Sequence, residues 1–186
     1  MREGSASMPK YSYRRDDVLD REEVSKMIEA EPDPSFKSLI AFLYVFGCRI
    51  SEALALEKKD VKLLKRVVNV RLLTLKKRDR GTTTPHRLNV ARLDSPFLDV
   101  FLARLGMVSE GKIWKMNRKT VWRHIKKVNP NCSPHLFRHT RATRFALAGA
   151  GMSEMWAWFD WSDMNTGAKY IHASGRLAAK LSGKID

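Results

Sequence analysis

A histidine, an arginine and a tyrosine near the C-terminal end of the sequence have the types and spacing to handle a phosphate. Ser133-Pro134 predicts a helix start, because serine can cap a free amide and proline's fixed φ suits the first helical position. His135 and Arg138 are three residues apart and share one face of that helix. They could hold an anion to which Tyr170 offers a nucleophile. The alternative is that His135 and Arg138 are ordinary surface residues.

A second arginine stands upstream in a largely apolar segment between Phe46 and Leu56. Arg49 follows a predicted apolar helix and falls in the turn before the next one. An arginine in such surroundings needs an anionic or hydrogen-bonding partner if it is buried. That partner is either a bound anion or a structural one within the chain, such as Glu52.

These segments together resemble the tyrosine recombinase (lambda-type integrase) family. That family carries an arginine in a Gly-x-Arg-x-Ser-Glu-x-x-x-Leu segment, a lysine on a β-hairpin, a His-x-x-Arg-His pair, a histidine or tryptophan, and then a nucleophilic tyrosine. Trp161 stands nine residues before Tyr170, the spacing expected from the family. The matching positions, in chain order, are Arg49, Lys76 or its neighbour Lys77, His135, Arg138, Trp161 and Tyr170.

The resemblance implies a site-specific recombinase or integrase from a mobile element or virus. Tyr170 would attack the scissile DNA phosphate, leaving a 3′-phosphotyrosyl bond and a free 5′-hydroxyl that allow strand exchange and religation without metal, cofactor or ATP. Nearby guanidinium groups would favour its phenolate. The implied roles are non-bridging oxygen contacts for Arg49 and Arg138, proton management and phosphate contact for His135, protonation of the leaving oxygen for Lys76, and an indole N–H donor for Trp161.

Composition independently favours a nucleic-acid partner. The 186 residues carry 35 Lys and Arg against 20 Asp and Glu, a formal net charge of +15. Such an excess favours a polyanion, although a merely solvated basic surface is the alternative. The 2 cysteines, Cys48 and Cys132, have no metal-site spacing and favour a reducing compartment. With no apolar run of membrane-spanning length and no signal-peptide core, the sequence predicts a cytoplasmic protein without a membrane partner.

Two basic segments are predicted to contact DNA. β-branched residues from Val67 to Val90 enclose a charged turn, which predicts a hairpin with a basic tip. Strand alternation favours Lys76 as the hairpin lysine, but a one-residue slip would choose Lys77. The alternative is a solvated turn. An amphipathic helix beginning near Asn117 follows, with too short an apolar face for a membrane role. The predicted DNA contacts are Lys77, Arg78, Arg80, Arg118, Lys119, Arg123 and Lys126.

Cap residues predict the remaining helices and an α+β fold, mainly α-helical with a small antiparallel sheet, as in tyrosine recombinase catalytic domains. The predicted N-caps, in chain order, are Asp20, Asp33, Ser95 and Ser153. Glycines should end helices at Gly47 and Gly106. His124 is expected at the surface. Gly167 is expected to weaken the helix before Tyr170 and let the tyrosine swing.

The predicted domain organisation is a flexible arm or linker remnant over residues 1–15 and a catalytic domain over residues 16–186, without the family's N-terminal core-binding domain. The resemblance also implies a tetramer on two sites of double-stranded DNA. Two other functions remain open: DNA relaxation like that of a type IB topoisomerase, and a catalytically inactive DNA-binding module. RNA binding is disfavoured because most aromatic residues are expected in the core.

Overall fold

A computed structural model describes residues 18–74, 86–161 and 166–171. Over these residues the fold is mainly helical with a small antiparallel sheet, which confirms the predicted fold class. The elements are α1 (Arg21–Ala30), α2 (Pro34–Phe46), α3 (Ile50–Ala55), a 3-10 turn (Lys58–Asp60), β1 (Val61–Leu63), β2 (Val67–Leu73), β3 (His86–Arg92), α4 (Pro96–Met107), α5 (Arg118–Val128), α6 (Pro134–Leu147) and α7 (Met152–Phe159). Residues 166–171 are also helical. No described helix is long and apolar enough to cross a membrane.

Helix α2 is the centre of the core. It begins with Pro34 after the Asp33 cap, whose Oδ1 accepts a hydrogen bond from the Ser35 amide at 2.7 Å. Phe42 is fully buried, and its ring packs against the rings of Phe101 and Trp114, with centroids 4.9 and 5.0 Å away. This aromatic packing confirms the prediction of a central apolar helix.

Helix α2 ends at Gly47, where the backbone is left-handed and a side chain would have no room. Gly47 has φ +58°, and a Cβ added to it would lie 2.6 Å from Cβ of Arg141 on α6. Only glycine satisfies both conditions without strain. The turn after Gly47 leads to Arg49, which is the N-cap residue of α3, as predicted.

Two predicted helix boundaries are wrong. α4 continues through Gly106 to Met107, because a glycine with no neighbouring atoms in its Cβ direction is tolerated inside an exposed turn. α7 is capped by Gly151 and not by Ser153: the Gly151 amide donates to Glu154 Oε2 at 2.6 Å. The capping box that opens α1, with Asp20 and Glu23, is confirmed.

The three strands form one antiparallel sheet in the order β1-β2-β3. β2 pairs with β3 from Val67 opposite Arg92 to Leu73 opposite His86, so the predicted hairpin is present. Alternate residues of β3 face inward, and two of them are polar, Arg87 and Asn89. The hairpin tip falls outside the described residues, and with it the predicted contacts Lys76, Lys77, Arg78 and Arg80.

Helix α5 docks through Val121 and Ile125, which are buried. His124 is partly exposed, as expected, but its ring also makes contacts that were not predicted. Its ring stacks on Phe36 with a centroid distance of 3.6 Å, and its Nδ1 lies 3.2 Å from Oε2 of the buried Glu31. His124 therefore anchors the basic helix to the junction of α1 and α2.

Candidate functional site

The C-terminal end of α7 brings the two predicted arginines together. The Phe159 carbonyl oxygen accepts a hydrogen bond from Arg138 Nη2 at 2.5 Å, and the next carbonyl, of Asp160, accepts one from Arg49 Nη2 at 3.3 Å. The last carbonyls of a helix lack intrahelical partners, and this end of the helix carries partial negative charge. Asp160 adopts a left-handed φ of 46° that ends the helix and turns its carbonyl toward Arg49.

Two further hydrogen bonds fix the same end of α7. The Trp158 carbonyl oxygen accepts from Asn89 Nδ2 on β3 at 3.1 Å, and the Trp158 indole Nε1 donates to the Phe46 carbonyl oxygen at 2.9 Å. The end of α7 is thus joined to the sheet and to α2 as well as to both arginines.

Arg138 is a buried cation held by neutral groups. Its side chain is 4% exposed, its Nη1 donates to the Gly47 carbonyl oxygen at 3.2 Å, and its Cζ lies 5.2 Å from the centroid of the Phe159 ring. Burial, followed by the charge of Arg49, lowers the pKa of Arg138 to about 10, so the side chain stays protonated at neutral pH. Both hydrogen-bond acceptors are neutral carbonyls, which leaves its charge able to attract an anion.

Arg49 is held in place by a carboxylate that it shares with a third arginine. Glu52 Oε1 lies 2.6 Å from Arg49 Nη1, and Glu52 Oε2 accepts from the Arg49 amide at 2.7 Å. Arg87 contacts the same two carboxylate oxygens through Nη1 and Nη2 at 3.0 and 2.7 Å. The structural partner considered for Arg49 is therefore present, and 23% of the Arg49 side chain remains exposed for an additional anion.

The electrostatics of this triad favour its charged state. Burial alone would raise the pKa of Glu52, but hydrogen bonds and charge from Arg87, together with hydrogen bonds from Arg49, hold it below the ordinary value. For Arg87, burial would lower the pKa, but the Glu52 carboxylate raises it. Arg87 was not among the site residues predicted from the sequence. Its inward register on β3 was the available signal, because an inward arginine needs a buried acid.

The positive charges of both site arginines act on the imidazole of His135. Burial, followed by the charges of Arg138, His139 and Arg49, lowers its pKa. The imidazole is therefore neutral at neutral pH and can serve as a hydrogen-bond donor or acceptor to an oxyanion. The structure thus brings together three of the predicted site residues, Arg49, His135 and Arg138.

Tyr170 lies beside the predicted tryptophan and beside a histidine that the sequence analysis did not select. The rings of Trp161 and Tyr170 are parallel within 2°, with centroids 5.4 Å apart. Tyr170 Oη lies 3.2 Å from Nδ1 of His139, the residue after Arg138. Trp161 also stacks on Phe159 at 4.9 Å, so a chain of ring contacts connects Arg138 to Tyr170. His139 could have been predicted from the sequence, because it lies one helical turn after His135 and so on the same face of α6.

Gly167 also has a packing role that was not predicted from the sequence, and its expected effect on the motion of Tyr170 stays a prediction. A Cβ added to Gly167 would lie 2.5 Å from Sδ of Met152 and 2.8 Å from Cζ3 of Trp161. The glycine therefore lets the helical segment 166–171 approach Trp161 closely. This contact positions Tyr170 against its stacking partner and does not depend on a weakened helix.

We expect Gly167→Ala to slow formation of a Tyr170-linked DNA adduct by about tenfold or more, because the added methyl must displace the segment that carries Tyr170. Single-turnover adduct formation measures this rate. Gly106→Ala is the matched control: it also adds a methyl to a helical glycine, but no atom lies within 4 Å of the added group. Equal rates for the two variants would contradict the packing role.

The exposed face of α5 is also cationic. Trp122 is 50% exposed, and Lys126 Nζ lies 5.7 Å from the centroid of its ring while donating to the Pro130 carbonyl oxygen at 2.5 Å. The remaining predicted contacts on this helix, Arg118, Lys119 and Arg123, are exposed. This confirms a basic face with one aromatic residue, and DNA contact through it stays a prediction.

The described residues contain no metal-ligand cluster, and their two cysteines are buried. Across residues 18–74, 86–161 and 166–171, no group of three or more His, Cys, Asp or Glu side chains is arranged to hold a metal ion. Cys48 and Cys132 are buried free cysteines, and burial raises the pKa of each thiol to about 12. Both thiols are therefore protonated at neutral pH.

Comparison with known proteins identifies the family. The tyrosine recombinase XerD of Staphylococcus haemolyticus (strain JCSC1435) is 28% identical over 185 residues, covering 89% of this chain and 61% of the relative. XerD of Staphylococcus aureus (strain Mu50 / ATCC 700699) is 25% identical over 192 residues, covering 93% of this chain. At 63% of the length of that relative, the chain spans less than two thirds of it.

Solved structures with low sequence identity share the fold. The XerH site-specific recombinase bound to palindromic difH substrate, in a post-cleavage complex, matches with a TM-score of 0.69 at 17% identity over 91% of this chain and 53% of that chain. The catalytic domain of bacteriophage HP1 integrase matches with a TM-score of 0.62 at 14% identity, over 84% of this chain and 88% of that domain. Since the sequence model of the phage integrase family matches residues 17–176, the chain belongs to that family of tyrosine recombinases.

Proposed function

We propose that this chain is the catalytic part of a site-specific recombinase or integrase that cuts and rejoins double-stranded DNA through Tyr170. The observation that carries the proposal is that Arg138 and Arg49 bind two consecutive carbonyl oxygens at the C-terminal end of α7. Stacked rings then connect this helix end to Tyr170. The HP1 integrase and the XerD and XerH recombinases support this function by relationship. In this proposal a core-binding domain beyond the catalytic part completes the grip on DNA.

The cleavage step is a phosphoryl transfer to the tyrosine. Tyr170 Oη attacks the scissile phosphorus, the new P–Oη bond forms, and the bond from phosphorus to the 5′-oxygen breaks. His139 Nδ1, 3.2 Å from Oη, accepts the phenolic proton when the imidazole is neutral with its proton on Nε2. The leaving 5′-oxygen takes its proton from Lys76 or Lys77 on the hairpin. Attack by a 5′-hydroxyl of another strand reverses these steps and rejoins the DNA.

Positive charge stabilises the five-coordinate phosphate. Arg49 and Arg138 contact the non-bridging oxygens, and the neutral His135 donates a hydrogen bond to one of them. Glu52 holds Arg49 in the orientation for this contact while leaving part of its guanidinium exposed. Trp161 supports the ring of Tyr170 by stacking, in addition to the indole donor role expected from the family.

DNA is gripped by the basic face of α5 and the basic hairpin tip, and recombination uses a tetramer assembled on two DNA sites. The exposed cations of α5, Arg118, Lys119 and Arg123, release condensed counterions as they neutralise phosphates. The proposed place of action is the cytoplasm of the host cell, where the DNA substrate is accessible. Bacteriophage HP1 integrase, a structural relative, supports an origin in a virus or mobile element.

We expect Arg123→Gln to reduce the steepness of the salt dependence of DNA binding. Loss of one phosphate contact should lower the slope of log affinity against log salt by about 0.9. Lys26→Gln is the matched control, since Lys26 is exposed on α1 and already paired with Glu22 at 2.6 Å. Fluorescence anisotropy with labelled duplex DNA from low to moderate salt measures both slopes. The same slope change in both variants would mean that net charge, and not the face of α5, sets the affinity.

The function is tested by covalent trapping on a pool of nicked DNA duplexes carrying candidate sites. We expect an adduct that resists SDS, forms with a chelator present, and yields a DNA-linked peptide containing Tyr170 on proteolysis. Relaxation of supercoiled plasmid without exchange between paired sites would instead favour the topoisomerase-like function. DNA binding without any adduct would favour the inactive binding module.

A further inference from the structure

A second cationic region lies outside the proposed active site. It is an open cleft of about 530 Å³ between α2, β3, the start of α4, α6 and α7. Among the described residues, four arginines line it, Arg21, Arg92, Arg141 and Arg144, against one acidic residue, Asp94. Arg92 already pairs with Asp94 at 2.9 Å. The cleft therefore carries excess positive charge, and none of Arg49, His135, Arg138 or Tyr170 lines it.

Arg141 is the most constrained cation in this cleft. Its Cζ lies 4.9 Å from the ring centroid of Phe145 and 5.4 Å from that of Trp158. Its Nε is buried and has no hydrogen-bond partner among the described residues. Burial, followed by the charge of Arg144, lowers the pKa of Arg141 to about 10, so it is still a cation at neutral pH. A largely buried cation with no counter-charge among the described residues is costly, and an anion entering the cleft would reduce that cost.

Arg144 and Tyr44 complete the polar part of the cleft. Arg144 donates through Nη2 to the Leu19 carbonyl oxygen at 3.2 Å, and its Cζ lies 4.9 Å from the ring centroid of Tyr44. The buried hydroxyl of Tyr44 has no acceptor among residues 18–74, 86–161 and 166–171. Arg141 and Arg144 both line the cleft, and guanidinium groups are the donors that a carboxylate or phosphate uses.

We propose that this cleft binds an acidic segment of a protein partner. A carboxylate of that segment is held between Arg141 and Arg144, and its neighbouring apolar side chains cover the rings that line the cleft. The walls favour protein over DNA. Apolar side chains cover an aromatic and aliphatic surface better than a sugar–phosphate backbone does. The cleft is lined by such residues: Tyr44, Val45, Val90, Phe97, Phe145 and Trp158. No residue of the basic face of α5 lines it.

The chain's own acids offer the competing explanation. Asp17 and Asp16 stand two and three residues before Leu19, whose carbonyl accepts from Arg144. An Asp16→Asn, Asp17→Asn double variant separates the two cases. If the partner segment is the occupant, this variant binds acidic peptide with unchanged affinity; a tenfold gain in affinity would assign the cleft to the chain's own aspartates and overturn the proposal.

The direct test is fluorescence anisotropy with a labelled peptide of alternating leucine and glutamate, compared with its leucine and glutamine counterpart. We expect the glutamate peptide to bind at least tenfold more tightly. Arg141→Gln and Arg144→Gln should each weaken it about tenfold or more, because each removes a charged donor to the carboxylate. Arg123→Gln on α5, which also removes one charge, should leave it unchanged.

Three further results would overturn the proposal: equal binding of the two peptides, binding of neither, or a tenfold loss of duplex DNA affinity in Arg141→Gln and Arg144→Gln. The last result would assign the cleft to nucleic acid. Folding of each variant is checked by its thermal unfolding midpoint. Arg141 packs beside Gly47, so Arg141→Gln can disturb folding; in that case Arg144→Gln alone tests peptide binding. Arg141→Lys tests whether a positive charge without the planar guanidinium is sufficient for peptide binding.

Discussion

Replacing Tyr170 with phenylalanine should abolish the covalent protein–DNA adduct while leaving DNA affinity within about twofold. The phenyl ring can keep its parallel stack on Trp161, at 5.4 Å between centroids. Only Oη is lost, and with it the contact to His139 Nδ1 at 3.2 Å. Loss of a nucleophile without loss of the surrounding packing removes the reaction and leaves the ground-state binding surface in place. Denaturing gels of the nicked-duplex reaction measure the adduct, and anisotropy measures the affinity.

The other tyrosines supply the control. The sequence contains 4 tyrosines, and Tyr44 also has a buried hydroxyl but lies in the arginine-lined cleft. Tyr44→Phe should therefore retain the adduct, since it removes a hydroxyl away from Trp161 and His139. An adduct that persists in Tyr170→Phe would show that another side chain is the nucleophile, and the DNA-linked peptide would identify it.

Replacing Glu52 with glutamine should both destabilise the fold and slow the reaction. The carboxylate contacts Arg49 and Arg87, and its side chain is fully buried. Its removal leaves the buried Arg87 without a counter-charge, close to the cations Arg49 and Arg138. Breaking a buried pair in this way costs about 3–5 kcal/mol of the free energy of unfolding. Urea denaturation measures that loss, and single-turnover adduct formation measures the rate.

A double variant separates stability from positioning. In Glu52→Leu, Arg87→Met both buried charges are gone, and similar replacements of whole ion pairs by apolar groups change stability little or even raise it. We expect the double variant to be more stable than Glu52→Gln. Its adduct formation should still be slow, because Arg49 has lost the carboxylate that orients it. Recovery of both stability and rate would contradict the positioning role of Glu52.

The pH dependence of this effect follows from the direction of the Glu52 pKa shift. Although burial acts to raise that pKa, the Arg87 and Arg49 contacts hold it below its ordinary value of 4.5. The ionised carboxylate therefore contributes its full stability above pH 4.5, and that contribution is lost as the pH falls through the lowered value. The stability difference between the native chain and Glu52→Gln should be constant from pH 6 to 8 and shrink in acid.

Sequence spacing predicted the parts of this molecule that depend on neighbours in the chain. Cap residues located the starts of α1 and α2, and strand alternation located the β2–β3 hairpin. Residues three or four apart share a helix face, so the pairing of His135 with Arg138 could also be predicted. The identity of Lys76 or Lys77 as the hairpin lysine remains a prediction, since both lie outside the described residues.

Contacts between distant segments were not predictable from spacing. His124 stacks on Phe36, and Arg87 forms an ion pair with Glu52. The residues of each pair are far apart in the chain, and no local pattern in the sequence indicates that they meet. Gly167 is a similar case, because the need for a residue without a side chain comes from the nearby Met152 and Trp161 and not from its own helix. A periodic pattern indicates which face is buried, but the partner on that face is decided by the tertiary fold.

The end of α7 makes the proposed active site a product of late folding events. The hydrogen bonds that join it to Arg49 and Phe46 connect residues 111 and 112 positions apart, and the one from Asn89 spans 69. Contacts of such high contact order form only after large loops have closed, whereas a basic helix such as α5 forms from local bonds. Local unfolding of α7 would also separate the two arginines while leaving the surface of α5 intact. In the proposed function, DNA cleavage therefore requires a folded α7, whereas a chain with α7 unfolded keeps only the basic face of α5 for DNA.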